Sequence, residues 1–329
     1  MRRLSLVAVA LVLLLIGAVV GRTMLPPKGE HLTSAYTYDM YLQDHGKQPA
    51  KCPKEHSKRK AAFEATLADI LAHNANAKRS YTKGVNRFSD WLPHELSGLR
   101  GSRREPKFQP KKAGVERPFT SDMTPPASSL DWRKAFPPVL TAVKDQGMCG
   151  DCWAHAVTET IESSYARKTG QLLVLSQQQI TSCVPPVQSC GGCDGFFPQY
   201  AYDFVIDKGA NAPKGLVEEW YYSFTSWFGN TGTCNASKVD PDFNIVNTVE
   251  ISAFTQVTMN NQTAVIEALN TLGPLSILVD ATFWQSYESG VFTDCMSYGP
   301  GFGLDHAVML VGYGTDAATD LDYWIVRNS

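Results

Sequence analysis

The sequence predicts an α+β protein in which a helical half precedes a β-rich half, with a cleft between them and a separate helical region in front. Three observations carry this. From Cys152 onward, Trp153, Val157, Ile161 and Tyr165 recur every fourth residue, so they share one helix face, and Gly170 follows as a stop signal. In the last third, residues 275–279, 307–311 and 323–326 are short apolar or aromatic runs bounded by Gly, Pro and Asp, the pattern of strands. Charge divides the chain in the same way: residues 22–124 carry 19 Lys+Arg against 11 Asp+Glu, and residues 125–329 carry 9 against 21. A basic region and an acidic one attract each other.

At 329 residues, with 43% hydrophobic and 19% charged, the chain has room for one large domain plus an extension, and wholesale disorder is excluded. Arg2-Arg3 precede an apolar run over residues 4–20, broken only by Ser5 and Gly17. Residues 1–21 read as a cleaved secretory signal, with an uncleaved signal-anchor as the alternative. Either sends the rest into an oxidising lumen, where the eight cysteines become candidates for disulfides. The basic region is spread along a helical pattern without an RNA- or DNA-binding motif, so no nucleic-acid partner is expected.

Residues 33–96 are polar and helix-rich, with apolar faces supplied by Tyr38 and Tyr41, then Phe63, Leu67, Ile70 and Leu71. Glu55, Arg59, Phe63, Thr66, Ile70 and Asn74 fall on one helical stripe. Residues 97–124 are rich in Arg, Lys, Pro and Gly and read as an extended linker, where proteolytic nicking concentrates. Maturation is expected near its end, about Ser121 to Ala127. Residues 125–329 form the main domain. Within it, Val265 to Leu269 reads as a short helix before Gly273-Pro274, and Ser176-Gln177-Gln178-Gln179 offers a capping box for another.

The chemistry centres on Gln146-Gly147-Met148-Cys149-Gly150-Asp151-Cys152-Trp153-Ala154-His155-Ala156. A tight loop passes into a helix at Cys152, so this thiol sits at a helix N-terminus, where partial positive charge lowers a cysteine pKa. Backbone N–H groups and the Gln146 amide just upstream are the material of an oxyanion hole. The cysteines allow two other readings: Cys149-x-x-Cys152 as a redox pair, and the same pair joined by Cys190-x-x-Cys193 as a four-cysteine zinc site. The first lacks a thioredoxin-like strand order, and the second leaves Gln146 and Trp153 unexplained. No metal and no cofactor is expected.

The segment resembles the Gln-Gly-x-Cys-Gly-x-Cys-Trp-Ala of papain-like cysteine proteases, with every fixed position matched. The resemblance implies a papain-like two-lobe fold, with Cys152 as nucleophile and Gln146 as oxyanion donor. Asp305-His306-Ala307-Val308 and Val311-Gly312-Tyr313-Gly314 resemble the family's histidine strand, which implies His306 as general base. Residues 323–329 resemble its strand ending in Asn-Ser-Trp, which implies Asn328 as the residue orienting the imidazole. Such a thiol and imidazole form an ion pair that lowers the cysteine pKa to about 3–4 in papain.

The Glu55-to-Asn74 stripe resembles the Glu-Arg-Phe-Asn-Ile-Asn signature of cathepsin L-like propeptides, with Thr66 where Asn is usual. Gly84-x-Asn86-x-Phe88-x-Asp90 matches their Gly-Asn-Phe-Asp motif in full. Residues 33–96 are therefore expected to be an autoinhibitory prodomain whose tail runs through the cleft in the non-productive direction. Leu130-Asp131-Trp132-Arg133 resembles the opening of the mature domain.

The stretch Cys193-Asp194-Gly195-Phe196-Phe197-Pro198 resembles Cys-x-Gly-Gly-x-Pro, with Phe196 in place of the second glycine. Substrate-binding positions carried over are Gly195 and Phe196, the latter through its backbone, and Phe197, Pro198, Leu278 and Leu304, whose apolar side chains favour a bulky hydrophobic residue before the cleavage-site residue. The Phe196 side chain is expected to crowd the neighbouring subsite. The resemblance pairs Cys149 with Cys193 and Cys183 with Cys234. Cys190 is an extra, Cys295 matches a cysteine whose partner would lie beyond Ser329, and Cys52 has no assigned partner. Asn235 and Asn261 open glycosylation triplets. The family continues past Ser329 with a Trp and further strands, so the chain is expected to be C-terminally truncated.

The expectation is a monomeric zymogen of a cysteine endopeptidase of the secretory pathway, lysosomal, vacuolar or extracellular. It would act on protein and peptide substrates and be held by its own prodomain, with cystatin-like inhibitors as further partners. The rival is a catalytically inert truncated homologue that binds or inhibits proteases.

Overall fold

The computed structural model describes residues 26–101, 127–187, 189–206, 215–239, 246–258, 261–295 and 303–329. The expected leader and most of the expected maturation stretch lie outside them.

The N-terminal region is built on aromatic packing. Helix α1 (Tyr38–Asp44) is capped by Thr37, whose side chain accepts from Met40 N, and crosses α2 (Pro53–Asn74). Phe63 stacks on Tyr41 at 4.7 Å and meets Tyr38 at 5.5 Å, with Leu67 and Ile70 buried alongside. The stripe seen in the sequence divides by role. Phe63 and Ile70 fill the core, while its polar members tie α2 to the next elements of the chain. Arg59 reaches Glu55 and Glu95, the latter at 2.7 Å, at the start of α3 (Pro93–Leu99). Asn74 donates to Lys83 O at 2.7 Å and accepts from Lys83 N, fixing β1 (Tyr81–Lys83). Asp90 accepts the hydroxyls of Tyr38 and Tyr41 and an ion pair from Lys47.

The main domain opens with β2 (Leu130–Asp131). Its central helix α4 (Cys152–Thr169) ends at Gly170, whose φ of 77° is the left-handed cap that glycine accepts without strain. The four-residue apolar stripe understates this helix, because Ala154, His155, Thr158, Glu159 and Glu162 are buried as well. Helix α5 (Gln177–Cys183) is capped by Ser176, which accepts from Gln179 N. The reciprocal half of the expected capping box is absent: the Gln179 side chain instead bonds Gly215 O and Val217 N, clamping β3 (Leu216–Val217). Helix α6 (Pro198–Ile206) packs on α4, and β3 pairs with β4 (Thr248–Val249) after a short α7 (Ala236–Val239).

The second lobe begins with α8 (Gln262–Thr271), capped by Asn261, and β5 (Leu275–Val279). After β6 (Tyr287–Gly290), β7 (His306–Asp316) is the central strand. It pairs antiparallel with β5, with β2 and with β8 (Leu321–Arg327). The registers Val279↔His306 and Met309↔Arg327 bring His306 and Asn328 to the same end of the sheet. Strand β1 pairs with β6, so the N-terminal region adds a strand to the main domain.

Cys149 is bonded to Cys193, and Cys183 to Cys234. Cys149 and Cys152 are thus not a redox pair, and Cys149 and Cys193 are not zinc thiolates. Cys52, Cys152, Cys190 and Cys295 are free. Among the described residues no helix is long and apolar enough to cross a membrane.

Phe63 has no exposed surface, so Phe63→Ala leaves a cavity and is expected to destabilise the N-terminal region by about 3–5 kcal/mol. Calorimetry of the intact chain should show that region melting earlier, with the main-domain transition in place.

Candidate active site

Helix α4 starts at Cys152 between the two lobes, with its first turn buried. Ala307, which follows His306 at the head of β7, donates its backbone N–H to Cys152 Sγ at 3.4 Å. His306 Nε2 lies 2.7 Å from Asn328 Oδ1, and its Nδ1 is buried with no hydrogen-bond partner among the described residues. An amide oxygen on Nε2 fixes that nitrogen as the protonated one, which leaves Nδ1 as the basic atom. Gln146 is buried at the loop's start, and its Nε2 donates to Cys149 O at 2.7 Å. The structure thus brings together Cys152, His306, Asn328 and Gln146.

The cleft is covered by the end of the N-terminal region. Leu99 O accepts from Gln146 Nε2 at 2.9 Å, so the amide that the sequence marks as an oxyanion donor is engaged by a backbone carbonyl of the same chain. Gly101 lies so close to Gly150 that a Cβ would collide with the Gly150 carbonyl, and Gly195 is packed as tightly against Gly101 O. Between these, Arg100 reaches Asp305 at 2.7 Å, beside His306. Farther out, Arg87 forms a two-pronged pair with Asp145.

Burial reverses the protonation expected from the helix N-terminus. Burial, opposed by N–H groups from Ala307 and Gly101 and reinforced by the Asp151 carboxylate, pushes the Cys152 thiol up to about 12. Burial also pushes His306 down to about 4, against the raising effect of Asn328 and with help from Arg100. Both groups are neutral here. Each charged form would lose its hydration in so buried a site, which is why the neutral forms are favoured.

Of the expected substrate positions, Phe197, Pro198, Leu278 and Leu304 line the cleft. Phe196 does not crowd it. Its side chain is turned into the core, edge-on to Trp153 at 5.5 Å and stacked on Tyr200 at 3.7 Å. An aromatic ring gains more by joining that cluster than by standing in water. Asn235 is exposed. Asn261 is exposed too, and its Oδ1 serves as the cap of α8.

Several residues carry the site that sequence reasoning did not single out. Asp151 and His155 form a fully buried pair in the first turn of α4, with Nδ1 3.4 Å from Oδ1 and Thr181 donating to the other oxygen. Arg327 Nη2, one residue before Asn328, lies 3.1 Å from Glu159, and the guanidinium donates to Thr141 O and Ala142 O. Glu162 pairs with Lys144 at 3.0 Å, on the segment leading to Gln146. Burial pushes Glu159 up to about 7 despite Arg327. These pairs bind α4 to the strand that presents Asn328 and to the loop that presents Gln146. Their spacing of four along the helix was the available signal: Asp151 and His155, then His155 and Glu159.

A thiol and an imidazole held under a segment of their own chain are the layout of a cysteine hydrolase in its blocked, precursor form. The family model described as papain family cysteine protease matches residues 126–329, and that described as cathepsin propeptide inhibitor domain (I29) matches residues 38–96. The chain belongs to the papain family of cysteine proteases and carries a propeptide inhibitor domain. Cathepsin L2 of Homo sapiens is 33% identical over 280 residues, covering 82% of this chain and 76% of that one. Vignain of Phaseolus vulgaris is 34% identical over 284 residues, covering 84% and 71%. Among solved structures, a digestive procathepsin L2 proteinase of Tenebrio molitor larval midgut superposes with a TM-score of 0.73 at 26% identity, covering 89% and 88%. A stem bromelain precursor superposes with 0.68 at 30% identity, covering 89% and 86%.

Cys52 is exposed while Cys152 is covered and neutral, so the two thiols are internal references for each other. In the intact chain at pH 7, iodoacetamide should label Cys152 at least about a hundredfold more slowly than Cys52. Peptide mapping by mass spectrometry over a time course measures the ratio. Comparable rates would mean that the cover is open in solution.

Proposed function

We propose that the chain is the zymogen of a cysteine endopeptidase in which Cys152 attacks the peptide carbonyl, His306 is the base, Asn328 orients it, and Gln146 with the Cys152 N–H stabilises the oxyanion. The observation that carries this is convergence: one three-residue strip, Leu99 to Gly101, covers Gln146, Cys152 and the acidic neighbour of His306 together. With the strip withdrawn, water enters and Nδ1 of His306 takes the thiol proton. The thiolate forms the acyl-enzyme as the scissile C–N bond breaks, and the imidazolium protonates the leaving amine. Water, deprotonated by His306, then releases the acid and restores the thiol. Each oxyanion donor contributes roughly 3–4 kcal/mol in such sites.

Residues 33–96 carry the inhibitor domain, the covering strip Leu99 to Gly101 lies just past it at the start of the segment 97–124, and the remainder of that segment is the site of activation, leaving a peptidase domain from residue 125. Phe197, Pro198, Leu278 and Leu304 favour a bulky apolar residue before the cleavage-site residue. Asn235 and Asn261 are the glycan acceptors, and the protein works in the secretory pathway, in a lysosome, a vacuole or outside the cell. Relatives of this chain are named as a germination-specific cysteine protease and a digestive cysteine proteinase, which favours the enzyme over the binding-only reading.

Acid should open the cover. His306 titrates near 4 when covered and at 6.5 as a free side chain, so the covered form binds its proton less well. Where no thiol shares its proton, as in Cys152→Ala, its contribution to the closed state is complete above pH 6.5 and is lost as the pH falls toward 4, by about 3 kcal/mol. Asp145, held below the usual carboxylate range chiefly by Arg87, also favours the closed state until acid protonates it. Burial raises Asp305, which opposes the trend.

In the chain without its leader, incubated at about pH 5 with reductant, an epoxide thiol probe should label Cys152. Cys152→Ala and His306→Ala should each abolish peptide hydrolysis, and hydrolysis surviving either change would sink the assignment. In the non-cleaving Cys152→Ala chain, tryptophan fluorescence should report release of the N-terminal region with a midpoint between pH 6.5 and 4. A cover that stays closed through pH 3.5 would refute the linkage.

A further inference from the structure

We infer that His155 is a positioning residue for the reaction: as an imidazolium paired with Asp151, it turns that carboxylate away from the N-terminus of α4 and offsets its charge, which leaves the helix end free to stabilise the Cys152 thiolate. This rests on the cysteine-protease reading above.

Asp151 stands at the N-cap of α4, where an Asp side chain ordinarily accepts from a backbone N–H two or three residues on. Here it makes no such bond. Its Oδ2 accepts from the Thr181 hydroxyl at 2.7 Å, and its Oδ1 lies 3.4 Å from His155 Nδ1. Nδ1 is also 3.3 Å from Asp151 O, so it meets only oxygen acceptors and carries a proton. The Trp153 N–H, which a capping carboxylate would occupy, acts instead on the Cys152 thiol and favours its charged form.

The charge on the ring follows from the charges buried with it. Asp151, Glu159 and Glu162 are all buried. Arg327 meets Glu159 at 3.1 Å and Lys144 meets Glu162 at 3.0 Å. Among the described residues no Lys or Arg pairs with Asp151, and an unmet buried charge is costly. His155 is placed to meet it, fully buried and four residues along the same helix face. Burial lowers the basicity of the ring, but Asp151 and then Glu159 outweigh burial, and the net change is upward. Nε2, where the second proton sits, has no hydrogen-bond partner among the described residues. The two carboxylates, one turn to either side, hold that proton by their charge. Glu159 competes for it, since burial pushes Glu159 up to about 7, but Glu159 already has Arg327. Phe224 stands edge-on to the ring at 5.2 Å, and α5 brings the uncharged Thr181 to the pair.

The pair bears on both reacting groups. Asp151 directly precedes Cys152, and its carboxylate raises the thiol. The ring's charge lowers His306 and also Asp145, on the approach to Gln146. Held together, the two charges offset each other at the reacting centre. With the ring gone, the carboxylate alone would oppose the thiolate.

The test uses the activated enzyme and the pH dependence of Cys152 alkylation by iodoacetamide, which reads the thiolate without any substrate. His155→Phe keeps an aromatic ring beside Phe224. In it the acid-side midpoint should rise by about one pH unit, and kcat/KM at about pH 5 should fall about tenfold. Adding Asp151→Asn removes the unpaired charge and should return the midpoint to its original place, which loss of packing alone would not do. A midpoint unmoved in His155→Phe would overturn the proposal, and so would a double variant that keeps the raised midpoint. Should His155→Phe fail to fold, nitrogen NMR of the imidazoles in the intact Cys152→Ala chain decides. At about pH 6 both His155 nitrogens should be protonated, and a ring with one bare nitrogen would overturn the assignment. An unmodified enzyme that hydrolyses no peptide would count against the protease reading itself, while the NMR result still decides the charge on His155.

Discussion

Everything in this structure is fitted around the buried first turn of α4. That helix begins at the boundary of the two lobes, and its place there is held by charge as well as by apolar packing. Glu159 and Glu162 project from α4 into sites with almost no solvent, and Arg327 and Lys144 meet them there. Removing one partner of a buried pair leaves an uncompensated charge, so such contacts tolerate little displacement. Because Arg327 precedes Asn328 and Lys144 precedes Gln146 by two residues, the same pairs set the register of the groups around the thiol.

The N-terminal region exploits that buried setting. It blocks Gln146 with a backbone carbonyl, which any sequence could supply, and it uses glycine at 101 because two backbones converge on that point. The larger effect is electrostatic. Burial of Cys152 and His306 holds both neutral. The surrounding ion pairs, Arg100 with Asp305 and Arg87 with Asp145, hold the strip by attraction between a basic region and an acidic one.

Much of this was legible in the residues. The four-residue spacing after Cys152 and the glycine stop marked α4, and the apolar runs marked β5 to its observed ends and β7 and β8 short of theirs. The stripe from Glu55 to Asn74 marked α2. What the spacing concealed is that the polar residues on α4 do not face water. Asp151, His155, Glu159 and Glu162 lie off the apolar stripe, yet all are buried because β7 and α5 cover those faces too. Phe196 misled in the opposite way, since its position in a substrate motif suggested a side chain in the cleft and the ring found a better place against Trp153 and Tyr200.

By itself the sequence determined the fold class, the family and the residue types at the reactive centre. A thiol at a helix start, a histidine opening a strand and a propeptide signature are local patterns that a linear chain can show. Only the tertiary structure decided which charges are buried, what covers the thiol and in which protonation state it waits. Those depend on the water excluded where segments far apart in sequence meet, and solvent exclusion is a property of the packed molecule, not of any one stretch of the chain.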